Sequence, residues 1–159
     1  MQRLLSDNNS YRLVQVTDTH LYADTSHVLV GMNCDEGLRD VIDLIRKKED
    51  VIAGVLLTGD ASQDNSAASY QRLHTTLATL GARQYWIPGN HDELKAMQKV
   101  LNAGNRCFEK SIRFGKWQVV MLVSNVVGAV HGMLKKAELD FLEEQLSSTN
   151  AEHILICLH

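Results

Sequence analysis

Cysteine, proline, excess positive charge and long apolar runs are all scarce in this sequence, and each shortage excludes something. The three cysteines, Cys34, Cys107 and Cys157, are isolated and odd in number. A disulfide framework needs pairs, and a cysteine-built zinc site needs closely spaced ones; no CxxC occurs. Reduced thiols in a cytoplasmic protein are therefore expected. Proline occurs once, at Pro88, and no Pro/Gly/Ser-rich linker, repeat or low-complexity segment divides the chain. Its 159 residues suit one domain, 1–159. No apolar run approaches the roughly 20 residues of a membrane helix, and the opening MQRLLSDNNSYR lacks the apolar stretch of a secretory signal. Net charge is −3, so no basic surface recommends a nucleic acid. Neither a nucleic-acid nor a membrane partner is expected.

What is present is alternation. Residues 11–17 (YRLVQVT) read as a strand. Residues 35–48 read as a helix capped by Asp35, with Leu38, Val41, Ile42 and Ile45 on one stripe. IAGVLLT, 52–58, is a short apolar run suited to a buried strand. A second helix spans roughly 66–80, with Tyr70, Leu73, Leu77 and Leu80 on one face and Gly81 as its stop. QYWI, 84–87, is the next strand, and 93–103 a third helix ended by Gly104. SIRF, Gly115-Lys116 and WQVVMLVS form a hairpin across a two-residue turn. A fourth helix, 135–147, turns Leu139, Leu142 and Leu146 inward. HILICL is the last strand, followed by His159. Such alternation implies right-handed crossovers and a largely parallel sheet covered by helices, an α/β class.

Ligands of such sheets bind beyond the carboxyl ends of the strands, and the unusual residues lie there. Asp18-Thr19-His20 follows the first strand, Gly59-Asp60 the second, and Pro88-Gly89-Asn90-His91-Asp92 the third; His159 follows the last. A single Asp after a strand is ordinarily a turn former or helix cap. The ordered set D-x-H, GD and GNHD, each at a strand end, is specific.

The residue types suit phosphate-ester hydrolysis. That reaction needs a nucleophile at neutral pH and neutralisation of charge on the phosphoryl oxygens. Two divalent metals roughly 3.5–4 Å apart supply both, by acidifying a bridging water and clamping the phosphate. Two cations so close need a shared anion, and Asp60 is the natural bridge. Asp18 and His20, across a tight loop, can reach one metal; Asn90 and His159 can serve the other. Oxygen and nitrogen ligands without thiolate suit manganese, iron or zinc alike. His91 is expected to protonate the leaving oxygen and stabilise the transition state, with Asn90 and His91 both facing substrate.

The same blocks carry a resemblance. DTH, GD and GNHD resemble the first signature blocks of the calcineurin-like metallophosphoesterases. The stretches QVTDTHLYAD, LVGMNCDEGLRDVID, LLTGDASQDNSAASYQRL, WIPGNHDE and VVGAVHGML are similar to those of bacterial class III cyclic AMP phosphodiesterases. The resemblance runs from about Arg12 to the end. It implies a four-layer αββα sandwich, of which this chain is the N-terminal portion, with a mixed, largely parallel sheet. It implies hydrolysis of a 3′,5′-cyclic nucleotide, cyclic AMP, to the 5′-monophosphate by a metal-bridging hydroxide. It also implies the ligand partition just given: Asp18 and His20 on one metal, Asn90 and His159 on the other, Asp60 between them, His91 on the leaving group.

Two departures stand out. The family carries a later Gly-His-x-His block with one histidine for each metal, and this chain is expected to be truncated before it. The family also has an Asp where Val123 stands, which implies a lost structural hydrogen bond. The truncation keeps two alternatives open: action on another phosphodiester or phosphomonoester, and a catalytically silent fragment serving as a binding module. An uncovered last strand favours self-association. The remaining polar residues have plainer readings. His131 in VHGML is read as solvated, His74 as structural, and His27 and His153 as surface residues. Asp92 is read as a cap of the third helix, with a hydrogen bond to a ligand histidine as the alternative. Pro88 stiffens the turn that aims Asn90 and His91, and Arg46, Lys47 and Lys48 complement a helix C-terminus.

Overall fold

Short apolar segments between polar loops build the molecule. A computed structural model describes residues 10–101 and 108–159. Strands β1 (Leu13–Val16), β4 (Gly54–Thr58) and β5 (Gln84–Ile87) form one parallel sheet with β4 in the centre. Every residue of β4 and β5 is buried, as strands covered on both faces require. The period of two then sorts their side chains. Val55, Leu57 and Trp86 point to one core, with Leu38 and Ile42 of helix α1 (Cys34–Lys48). Leu73 and Leu77 of α2 (Ala67–Ala78) and Met97 and Leu101 of α3 (Leu94–Leu101) complete that core. Leu56, Tyr85 and Ile87 point the other way, into a second core.

That second core is closed by another sheet. Strands β6 (Ser111–Phe114) and β7 (Trp117–Met121) pair antiparallel across Gly115-Lys116, and β8 (His153–Cys157) runs parallel to β7. Ile112, Phe114, Val119 and Met121 meet the first sheet. The opposite face is polar and carries helix α4 (Lys136–Ser148). Gln145 accepts from Ser111 Oγ at 2.7 Å and from Gln118 Nε2 at 2.9 Å. Glu138 accepts from Lys110 Nζ at 2.8 Å and from Val123 N at 3.0 Å. Helices, sheet, sheet and helix thus stack in the αββα order that the resemblance implied.

Several expectations need correction. The cap of α1 is Asn33, not Asp35: Asn33 Oδ1 accepts from Glu36 N at 3.0 Å. Asp35 instead forms a bidentate pair with Arg72 of α2, Oδ1 to Nε at 2.6 Å and Oδ2 to NH2 at 3.1 Å. The first strand is shorter than 11–17, and the second begins at Gly54 rather than residue 52. Val41 is exposed. In α4, Leu139 and Leu146 are exposed, because the inward face carries the polar residues just named. The sequence also hides a small hairpin, β2 (Val28–Leu29) with β3 (Met32–Asn33). The third helix is described to Leu101; residues 102–103, Gly104 and Cys107 lie outside the described residues. Among the described residues, no helix is long and apolar enough to cross a membrane.

Candidate metal centre

The carboxyl ends of β1, β4, β5 and β8 open onto one rim. Backbone pairing continues past β1 and β4, with Asp18 N bonded to Gly59 O at 3.0 Å and His20 N to Asp60 O at 2.9 Å. The chain is bent hard here. Asp18 (φ 56), His20 (φ 44) and Asp60 (φ 49) all occupy the left-handed region, which non-glycine residues seldom adopt and which clusters at functional sites. The loops also approach closely. A Cβ on Gly59 would lie 2.5 Å from His159 Nδ1, and one on Gly89 would lie 2.1 Å from Asp60 Oδ1.

Asp60 is the buried centre of the site, at 4 % exposure. Its Oδ1 accepts from His91 N at 2.9 Å. Its Oδ2 stands 3.7 Å from His20 Nε2 and 3.5 Å from His159 Nε2. His20 Nε2 is also 3.8 Å from Asp18 Oδ1. His159 Nδ1 donates to Thr58 O at 2.8 Å, which in the neutral ring leaves Nε2 with a lone pair. That lone pair faces the Asn90 amide oxygen at 3.2 Å. Two acceptors at this separation repel each other unless a proton or cation stands between them. Two sets of ligand atoms converge, His20–Asp60–His91 and Asp18–Asp60–His159, each within 4.8 Å, and Asp60 belongs to both. A mixed oxygen and nitrogen donor set around a shared carboxylate fits a pair of divalent cations.

All six residues singled out by sequence, Asp18, His20, Asp60, Asn90, His91 and His159, therefore share one site. Asp18 and His91 are the exposed members, while His20, Asn90 and His159 are half-buried. Beside Asp18 and His20 opens an apolar cavity of about 530 Å³, lined by Val16, Leu29, Met32, Leu38 and Val41.

Asp92 is neither the helix cap nor a partner of a histidine, and this corrects both readings. It is buried, and its two oxygens accept from Ala61 N, Gly89 N, Ser62 N and Tyr70 Oη at 2.9–3.1 Å. It therefore ties the GD loop to the GNHD loop. Burial, together with the Asp92 charge, pushes the Tyr70 phenol far up, so it remains a donor. Gln63 also escaped the sequence reading. Its side chain lies between His20 Nδ1, at 2.7 Å, and His91 Nδ1, at 3.0 Å. The signal was its place three residues after Asp60 in the same loop. Among the other histidines, His74 bonds Gln84 at 2.9 Å and is structural, as read. His27, His131 and His153 are exposed.

Comparison with known proteins identifies the family. Residues 11–159 match the calcineurin-like phosphoesterase family model. The chain belongs to that family. It is 36% identical over 149 residues to the 3′,5′-cyclic adenosine monophosphate phosphodiesterase CpdA of Escherichia coli (strain K12), covering 93% of this chain and 54% of that protein. It is 37% identical over 150 residues to the CpdA of Pseudomonas aeruginosa, covering 94% and 55%. A 3′,5′-cyclic-nucleotide phosphodiesterase of Nostoc sp. is 36% identical over 147 residues, covering 92% and 55%. The chain spans about half the length of these curated relatives.

Proposed function

We propose that this chain is the metal-site part, domain 1–159, of a metallophosphoesterase that hydrolyses 3′,5′-cyclic AMP to the 5′-monophosphate. The observation that carries this reading is Asp60, a buried carboxylate common to two convergent ligand sets. Asp18 and His20 would hold one cation and Asn90 and His159 the other, with Asp60 serving both. His20 approaches Asp18 and His159 approaches Asn90, which supports that partition; the two convergent sets themselves join His20 to His91 and Asp18 to His159, each through Asp60. Manganese, iron and zinc all suit these donors. When bound, the cations supply charge neutralisation and a nucleophile at neutral pH.

The chain's own groups do the rest. Asp60 Oδ1, held by His91 N, keeps its other oxygen aimed at the centre. The exposed His91 stands at the mouth and gives its proton to the departing ester oxygen, while Asn90 orients the phosphate. The names of the relatives support a cyclic nucleotide as substrate. The test is hydrolysis of cyclic AMP beside a generic aryl phosphodiester, with Mn²⁺ added. Preference for cyclic AMP is expected; cleavage of the aryl diester alone would move the chain to another phosphoesterase activity. No turnover with tight Mn²⁺ binding would favour a binding role.

Self-association belongs to the same reading. Leu155, Ile156 and Leu158 on and beside β8 are 37–48% exposed, an apolar edge suited to pairing. Sedimentation at rising concentration should show dimers or larger species; a monomer throughout would contradict this.

A further inference from the structure

Two histidines of the rim, His20 after β1 and His91 after β5, share one amide from the GD loop. Gln63 Oε1 lies 2.7 Å from His20 Nδ1, and Gln63 Nε2 lies 3.0 Å from His91 Nδ1. His20 turns its other nitrogen, Nε2, to the carboxylates of Asp60 and Asp18, at 3.7 and 3.8 Å. A ring nitrogen that ligates a cation must offer a lone pair. The His20 proton then resides on Nδ1 and is donated to the Gln63 oxygen.

An amide that has given its oxygen to one ring has only N–H to give the other. His91 Nδ1 must therefore accept, and the proton of neutral His91 sits on Nε2. The reversed amide would set an N–H against His20 Nδ1, force the His20 proton onto Nε2 and block ligation. The chemistry at one ring thus fixes the other. We infer that Gln63 is a positioning residue that imposes complementary tautomers, a lone pair at the metal-facing nitrogen of His20 and a proton at Nε2 of His91. The inference rests on the metal reading above and adds the group that orients both rings for it. The Nε2–H of neutral His91 donates a hydrogen bond to the departing ester oxygen, and complete proton transfer takes the imidazolium, whose Nδ1–H must first turn from the Gln63 N–H.

The choice of glutamine matters. A carboxylate there would accept from both rings and would draw the His91 proton to Nδ1. An apolar residue would serve neither ring.

Nitrogen-15 NMR on the histidine-labelled chain, at a pH where both rings are neutral, reads the tautomers without any metal. His20 should appear as the Nδ1–H form and His91 as the Nε2–H form. In Gln63→Leu, His20 should shift towards the Nε2–H form, and Mn²⁺ affinity by calorimetry should fall roughly 10–100-fold, as when a partner of a ligand histidine is lost. Gln63→Glu should keep the His20 form and bind Mn²⁺ at least as tightly, yet move His91 to Nδ1–H. A generic structural role would make the two variants alike. The inference is overturned if Gln63→Leu leaves the His20 tautomer and Mn²⁺ affinity unchanged, or if Gln63→Glu leaves His91 as Nε2–H. An unaltered chain that binds no Mn²⁺ would instead overturn the metal reading beneath it.

Discussion

Gly89 leaves room for Asp60: a Cβ added to Gly89 would stand 2.1 Å from Asp60 Oδ1 and 2.4 Å from Asp60 N. Neither of those atoms belongs to a flexible chain end that could swing away, because Asp60 is buried and its Oδ1 is held by His91 N. Gly89→Ala should therefore displace the carboxylate. Mn²⁺ affinity should drop by at least about tenfold, in the range of other losses that misplace a ligand. Calorimetric titration checks this, and unchanged affinity would mean that the loops separate at no cost to the site.

Asp92 gives a sharper test of stability. Each buried donor left without an acceptor costs about 1–3 kcal/mol, and Asp92 serves Ala61 N, Ser62 N, Gly89 N and Tyr70 Oη. Asp92→Ala should lower unfolding free energy by at least about 3 kcal/mol. Loss of a helix cap would cost about 1 kcal/mol. Urea unfolding distinguishes the two, and the smaller value would restore the cap reading.

Asp64 sets a pH dependence. Burial raises its carboxyl, but donors from Ala23 N, Ser66 and Ser62 outweigh that and hold it below its ordinary value of 3.8. A carboxyl lowered in the folded state contributes stability above its unfolded value and loses it as pH falls through the folded one. Asp64→Asn should thus be less stable than the unaltered chain at about pH 6, and the gap should close towards about pH 3. Urea midpoints at both values measure it; a gap that is constant with pH would show that the carboxylate charge is not responsible.

The strand-end residues were legible because each combines a recognisable chemistry with a place that follows from strand–helix alternation. The residues that support them were not. Gln63 carries no charge and sits among small polar neighbours, so only its distance to two rings reveals it. Asp92 looked like a cap because a helix follows, while two of its four donors, Ala61 N and Ser62 N, come from a loop about 30 positions away in the chain. Asn33 could have been found, since Asn-x-x-Glu across Asn33 and Glu36 is a capping pattern. The β2–β3 hairpin could not. Its turn puts Val30 at φ 51 and Gly31 at φ 84, and a β-branched residue rarely takes that conformation. The leucines of α4 misled for another reason: its sheet face offers Ser111 and Gln118, so glutamine and glutamate turn inward.

The central claim is that one buried carboxylate is shared by two cations. Electron paramagnetic resonance of the Mn²⁺-loaded chain tests it directly, because a bridged pair gives an exchange-coupled spectrum and isolated ions do not. The unaltered chain should show the coupled signal, and Asp60→Asn should lose it together with the second equivalent of Mn²⁺. A coupled spectrum and two bound Mn²⁺ in Asp60→Asn would contradict the account.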